Sequence, residues 1–315
     1  MRKPSKKVLR GVLTLLLVAV IGYFFWRALS RNLGALKAVD FAINGWTILA
    51  ILAFALAVTV SGTIWGRMVS LLSGVKVPEA EAIRVHCSSW LMKYVPGQVG
   101  SAVNKVTWAK GFGIPRTLVL ITFIYENVFL VVGSLVPTTL VLVLFGTLDL
   151  SGNGALLAAL ASLIPLLLLT NKKVFAWLTN LAGKRFLKRE VPSEYFLSSG
   201  QAFGYQLWYL IPRVITGIGM VTVAKAMINP APSTYLPLAC AYIVAGAVGI
   251  LAIFVPSGIG VRESVFVFLA APFIPVEEAI VLSLAARLWA TVADVVVAGV
   301  YIVLEALRRR KLKGS

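Results

Sequence analysis

The chain has 315 residues, of which 59% are hydrophobic and only 13% charged. A soluble domain carries about 45–50% apolar and about 25% charged residues, so a mean hydropathy of +0.90 leaves no room for a soluble catalytic domain. A net charge of +18 would suggest nucleic acid in a soluble protein. No RNA- or DNA-binding motif accompanies it here, and the charges gather at the ends of apolar blocks, as they do at the cytoplasmic flanks of membrane spans.

In chain order, Arg2, Lys3, Lys6, Lys7 and Arg10 precede an apolar run that no small-residue cleavage site follows. Residues 9–29 therefore read as a peripheral first span with a cytoplasmic N-terminus. Further spans are predicted over 45–71, 117–146, 154–171, 203–228 and 277–306, each long enough for a hydrocarbon layer of about 30 Å. Two more apolar stretches, 79–113 and 237–273, are interrupted by Pro and Gly. The loop with Lys172, Lys173, Lys184, Arg185, Lys188 and Arg189, and the tail Arg308, Arg309, Arg310, Lys311 and Lys313, read as cytoplasmic. The Lys- and Arg-free loop around Asp149, Ser151 and Asn153, and the turn 228–235, read as external. Arg27, Arg31 and Lys37 fall on the external side, against the rule, and the N-terminal cluster outnumbers them. Cys87 and Cys240 sit in apolar stretches and read as small membrane residues, not a disulfide.

The two interrupted stretches are copies of each other. Val95-Pro96-Gly97-Gln98-Val99-Gly100 aligns with Val255-Pro256-Ser257-Gly258-Ile259-Gly260. Val77-Pro78 aligns with Leu236-Pro237, and Ile114-Pro115 with Ile274-Pro275. The spacing of 19 residues from Pro96 to Pro115 recurs from Pro256 to Pro275. With the loop charges, this predicts an all-α polytopic membrane protein of six full spans and two re-entrant broken hairpins, both termini cytoplasmic. Residues 1–315 form a single integral membrane domain: peripheral span 9–29, repeat one 45–146, linker span 154–171, repeat two 203–306. The odd number of crossings inverts one copy against the other. Inverted repeats with broken segments at matching positions are a transporter signature, with the site near the repeat interface.

The breaks are where chemistry is expected. Pro96 and Pro256 remove backbone donors, and Gly97, Gly100, Gly258 and Gly260 permit turns. Non-helical backbone at membrane depth persists only where protein or water satisfies it. The helix restarting after each tip offers N–H groups suited to a phosphate or carboxylate. Lys93 and Lys105 flank the first tip, and Arg262 and Glu263 follow the second. Glu126, Arg213, Arg287 and Asp294 lie inside spans, where an ionisable residue is by default functional. Simpler roles stand beside these: Lys93, Lys105 and Lys110 as snorkelling residues, His86 as a packed one, Glu126 and Arg287 as a structural ion pair between the copies. Tyr125, Trp208, Tyr209 and Trp289 read as packing or interface aromatics. One histidine and no H-E-x-x-H predict no metal and no cofactor, and the absence of a Walker loop or G-x-S-x-G predicts no catalytic residues.

The run Lys93 to Gly100, with Tyr125-Glu126 beyond it, resembles the first signature of the lysylphosphatidylglycerol synthase transmembrane-region family. That family includes YbhN-like proteins and the flippase half of the multiple peptide resistance factor. Val255 to Glu263 resembles its second signature, P-G-G-[LI]-G-[VI]-R-E, and Arg287-Leu288 its later Arg-Leu. Asn127 stands where the family commonly has Arg, and Ser257 where it has Gly. The chain lacks the soluble aminoacyl-transferase domain of the synthases, so the resemblance implies lipid translocation and not aminoacyl transfer.

The expected function is a multi-pass flippase of the inner or plasma membrane that moves an anionic phospholipid or a lipid-linked phosphate carrier. The headgroup is expected between the two tips, with Arg262 and Arg287 on its phosphate and Glu126 and Glu263 holding those arginines or carrying a coupling proton. Three alternatives stay open: a transporter of a small soluble anion, an embedded lipid-modifying enzyme, and a non-transporting partner of lipid synthesis. The partners implied are membrane lipids with anionic headgroups, no nucleic acid, and, left open, a second copy of the chain.

Overall fold

A computed structural model describes residues 43–94, 99–144, 164–165, 168–187, 190–252, 258 and 260–313, and their regular structure is helical throughout. The expected spans 9–29 and most of 154–171 lie outside those residues, as do Pro96, Gly97 and Pro256 at the tips.

Helix α1 (Gly45–Ser73) starts where the Asn44 side chain accepts from Thr47 N and ends at Gly74 in the left-handed region. The first interrupted stretch becomes α2 (Glu79–Leu91) and α3 (Val99–Ala109). They have 13 and 11 residues, so at 1.5 Å each they are about 20 and 16 Å long, too short to cross alone. Helix α4 (Arg116–Leu144) follows Pro115, and α5 (Lys172–Leu187) is short and basic at both ends. The expected span 203–228 is two helices, α6 (Ser199–Trp208) and α7 (Leu210–Met227). Pro212 explains the break, since it cannot donate to the Trp208 carbonyl one turn earlier. Then come α8 (Tyr235–Leu251), α9 (Val261–Ala270) and α10 (Val276–Lys313). The first half thus runs long, short, short, long (α1–α4), whereas the second half has five helices, α6–α10, of 10, 18, 17, 10 and 38 residues, and its α8 is longer than α2. Five stretches are long and apolar enough to cross a membrane. Four were expected among the described residues; the fifth, Pro232–Leu251, is the first arm of the second interrupted stretch.

Helices α1 and α7 pack against each other along their length. At one end the Arg67 guanidinium lies 5.3 Å from the Trp208 ring, and at the other the Lys225 ammonium lies 4.1 Å from the Trp46 ring. Trp46 and Arg67 are about 31 Å apart along α1. Arg67 pairs with Glu79 at 2.6 Å, which puts the start of α2 at the Arg67 end. Lys225 lies 5.4 Å from the Tyr235 ring, which puts the start of α8 at the Trp46 end.

Each interrupted stretch packs on both halves of the chain: α2 on α1 and α10, α8 on α7 and α4. Small residues make the approach close. A Cβ at Gly62 would lie 2.9 Å from the His86 Cβ, and one at Gly66 would overlap Ala82. Gly217 of α7 meets Ala239 and Ile243 of α8 in the same way. Contact between helices in lipid rests on such tight packing, because lipid tails are as apolar as the side chains. The interior holds two hydrophobic clusters, one around Trp65, Tyr125 and Phe129, the other around Tyr242, Phe266 and Trp289. The outer surface is apolar as well: Ile48, Leu52 and Leu56 line one face of α1, and Ile211, Val214 and Ile218 one face of α7. Such stripes face lipid in a multi-pass membrane protein.

Candidate functional site

The charged residues singled out from the sequence fall into two groups, one in each hydrophobic cluster. In the first, Lys105 of α3 is 1% exposed and Glu126 of α4 is 6% exposed. Their side chains form an ion pair and hydrogen bond. His86 Nδ1 of α2 lies 3.4 Å from the Lys105 ammonium and 3.5 Å from the Glu126 carboxylate. The ammonium also sits 4.3 Å from the Trp65 ring, whose Nε1 donates to Thr122 at 3.2 Å. Tyr125, next to Glu126, stacks on Phe175 of α5 at 3.9 Å, and its hydroxyl accepts from Leu197 N. Lys105 is therefore not a snorkelling residue. Its stem ends inside the protein, because the one buried carboxylate it can reach is there.

The second group is larger and more cationic. The Arg287 guanidinium of α10 is 3.5 Å from Glu263 of α9. The Glu263 carboxylate also accepts from Gly260 N at 2.6 Å, closing the N-terminus of its own helix. The donors expected to await a phosphate there are thus partly taken by the chain itself. Lys93, in the turn before the first tip, reaches Asp294 of α10 at 2.8 Å, and Trp90 Nε1 donates to the same carboxylate at 2.8 Å. Arg262 extends across Gly249 of α8, and its guanidinium lies 5.8 Å from the Tyr242 ring. Gly258 makes this crossing possible: its φ is +64°, and a Cβ there would lie 2.8 Å from the Gly249 Cα.

Arg213 of α7 arrives from the other side. A Cβ at Gly246 would lie 3.4 Å from Arg262 Nη2 and 3.9 Å from Arg213 Nη1. With no side chain at Gly246, both guanidiniums can approach the same point on α8. Neither arginine meets a carboxylate among the described residues. Arg213 Nε is buried with no hydrogen-bond partner among them, as are the Tyr209 hydroxyl and Trp289 Nε1. An unsatisfied buried donor costs about 1–3 kcal/mol, so each of these groups calls for a partner such as water or a ligand. Beside the arginines, Tyr242, Glu263, Ser283 and Arg287 enclose a cavity of about 10 Å³, room for one water. A wider cleft of about 330 Å³ runs past Arg84, Ser88, Asn104, Trp108 and Tyr301. Its Arg84 is held by Glu81 at 2.7 Å and Glu305 at 3.0 Å, so it offers no spare positive charge.

The structure brings together Arg213, Gly258, Gly260, Arg262, Glu263 and Arg287 from the expected site. It places Lys105 and Glu126 in the other cluster and Gly100 in the first turn of α3. The expected Glu126–Arg287 pair is replaced by two pairs, each within one half: Lys105–Glu126 and Glu263–Arg287. In both, the short helix after the tip is tied to the long helix that follows, with the signs exchanged. Asp294 and Lys93 were noticed as charges but not placed at the site. Tyr242 was missed, although Tyr242, Gly246 and Gly249 follow the spacing of a single helical face.

The family model described as Lysylphosphatidylglycerol synthase TM region matches residues 11–298. The chain belongs to that family. Lysylphosphatidylglycerol synthase TM regions are membrane-embedded and linked to lipid handling, which agrees with an apolar exterior and a partly buried cluster of cations. No curated protein matches the chain.

Proposed function

We propose that the protein is a lipid flippase of the cytoplasmic membrane. It moves an anionic phospholipid or a lipid-linked phosphate carrier between leaflets without covalent chemistry. The observation that carries this reading is the convergence of Arg213 and Arg262 at Gly246, inside the helical body and without a carboxylate. A partly buried cation that meets no carboxylate among the described residues is costly in a membrane, and an anionic headgroup removes that cost while its acyl chains stay in lipid.

The transport cycle is an alternation of two inverted copies, α1–α4 and α6–α10, each with a re-entrant hairpin. Three features support it: the matched proline spacing of the two interrupted stretches, the start of α2 and of α8 at opposite ends of α1, and the exchange of packing partners. Arg287 and Glu263 hold the second hairpin against α10, and Lys93 with Asp294 ties the first hairpin to the same helix. Changing the depth of either hairpin would open the closed centre to one leaflet or the other.

The test is reconstitution in liposomes with fluorescent anionic and zwitterionic phospholipids, reading how fast inner-leaflet label becomes accessible to an impermeant quencher. Accelerated exchange of the anionic probe, slowed at least about tenfold by Arg262→Ala, is the expected result; 1.4 kcal/mol of lost headgroup binding suffices for that factor. Folded protein that accelerates none of the lipids, or an Arg262→Ala variant as fast as the parent, would refute the reading.

A further inference from the structure

The charges at the centre do not balance, and the imbalance names the headgroup. Lys93 is matched by Asp294 and Arg287 by Glu263. Arg213 and Arg262 remain, two guanidiniums within 4 Å of one point at Gly246, with no carboxylate paired to either among the described residues. A phosphodiester, the linkage in phosphatidylglycerol, carries one negative charge and would leave one guanidinium uncompensated. A terminal phosphate carries about −1.5 to −2 at pH 7 and three free oxygens. It can accept from two guanidiniums on opposite sides, each in the fork geometry that suits arginine.

We propose that Arg213, Gly246 and Arg262 form a receptor for a terminal, doubly charged phosphate at the end of a lipid, in preference to the phosphodiester of an ordinary phospholipid. This rests on the anionic-lipid reading above and narrows it. Gly246 has a specific part: a side chain there would take up space beside both guanidiniums, on the path by which a phosphate would approach them. The contacts of 3.4 and 3.9 Å to a Cβ there are ordinary van der Waals distances, so Gly246→Ala should fold. It should still lose the ligand. Tyr242 forms one wall, with its ring under the Arg262 guanidinium.

The experiment uses the full chain in nanodiscs of phosphatidylcholine. Native mass spectrometry measures binding of phosphatidic acid and of phosphatidylglycerol with the same acyl chains, with inorganic phosphate as a competitor. Phosphatidic acid should bind at least about tenfold more tightly than phosphatidylglycerol. That preference should shrink to about twofold or less in Arg213→Gln and in Arg262→Gln, and in Gly246→Ala both ligands should weaken with the melting temperature nearly unchanged. Arg213→Lys, which keeps the charge but not the fork, should restore part of the preference. Equal or tighter binding of phosphatidylglycerol would overturn the receptor for a terminal phosphate and leave the anionic-lipid reading standing. Anionic lipids bound no better than phosphatidylcholine would overturn both. Inorganic phosphate displacing phosphatidic acid at equal concentration would show a receptor for the free anion and overturn the lipid part.

Discussion

The buried Lys105–Glu126 pair allows a quantitative test of how the first hairpin is held. Lys105→Met leaves the Glu126 carboxylate 6% exposed, with His86 as its remaining polar neighbour at 3.5 Å. Removing one partner of a buried pair costs about 3–5 kcal/mol, because the other charge stays desolvated. Glu126→Gln strands an ammonium that is 1% exposed, but the Trp65 face 4.3 Å away returns part of the loss. Such a cation–π contact is worth about 0.5–2 kcal/mol, so this variant should suffer less, by about 2–4 kcal/mol in all. The double variant Lys105→Met/Glu126→Leu replaces both charges by apolar groups of similar volume, which is often neutral or stabilising. The three variants and the parent form a double-mutant cycle, read by unfolding in nanodiscs or mild detergent. The single losses should not add, and the double variant should fall within about 1 kcal/mol of the parent, a coupling well above the 0.5–3 kcal/mol of ordinary neighbours. Additive losses, or a loss under about 1 kcal/mol for Lys105→Met, would show that the pair is not a buried ion pair.

Other expectations follow from the same geometry. Asp294→Asn removes the carboxylate that Lys93 and Trp90 share, and should slow lipid exchange at least about tenfold while costing about 1–3 kcal/mol in unfolding measurements. Gly66→Leu drives a side chain into Ala82, so α2 must move off α1, and the melting temperature should fall by an amount matching at least about 1–3 kcal/mol. Arg67→Ala serves as the contrast: that side chain and its partner Glu79 are 50% and 59% exposed, so unfolding should change by no more than about 1 kcal/mol. Single cysteines at Lys76 and at Ala231, on loops that lead into α2 and α8, should react with an impermeant thiol reagent from opposite sides of sealed vesicles. Labelling of both from one side would refute the inverted arrangement.

Much of the helical framework was legible without coordinates. Four of the expected spans coincide with described helices to within a few residues, apart from the break at Pro212, because a long apolar run has one stable form in lipid. The breaks were legible for the same kind of reason. Pro78, Pro115 and Pro275 each stand just before a helix start, where a missing donor costs nothing. Pro212 breaks the expected span 203–228 into α6 and α7, a break that a proline inside a long apolar run does not by itself announce, since such prolines are tolerated in membrane helices. The first arm of the second interrupted stretch, Pro232–Leu251, read as half of a hairpin although it is long enough to cross.

The pairing of charges was a matter for the tertiary structure alone. Aligned on the prolines, Glu126 corresponds to Ala286 and Arg287 to Asn127, one residue out of step. One residue on a helix of 3.6 residues per turn rotates a side chain by about 100°. A correspondence that looks like a pair in the sequence therefore points in different directions in space. Composition, proline spacing and loop charge determined that this chain is a set of membrane helices interrupted at two matching places, since each acts within one segment. Which cation meets which anion, and that Arg213 and Arg262 meet none among the described residues, depends on helix rotation and on how the helices pack. Those are set by contacts such as Gly62 on His86 and Gly249 under Arg262, between residues far apart in the chain, and only packing brings them together.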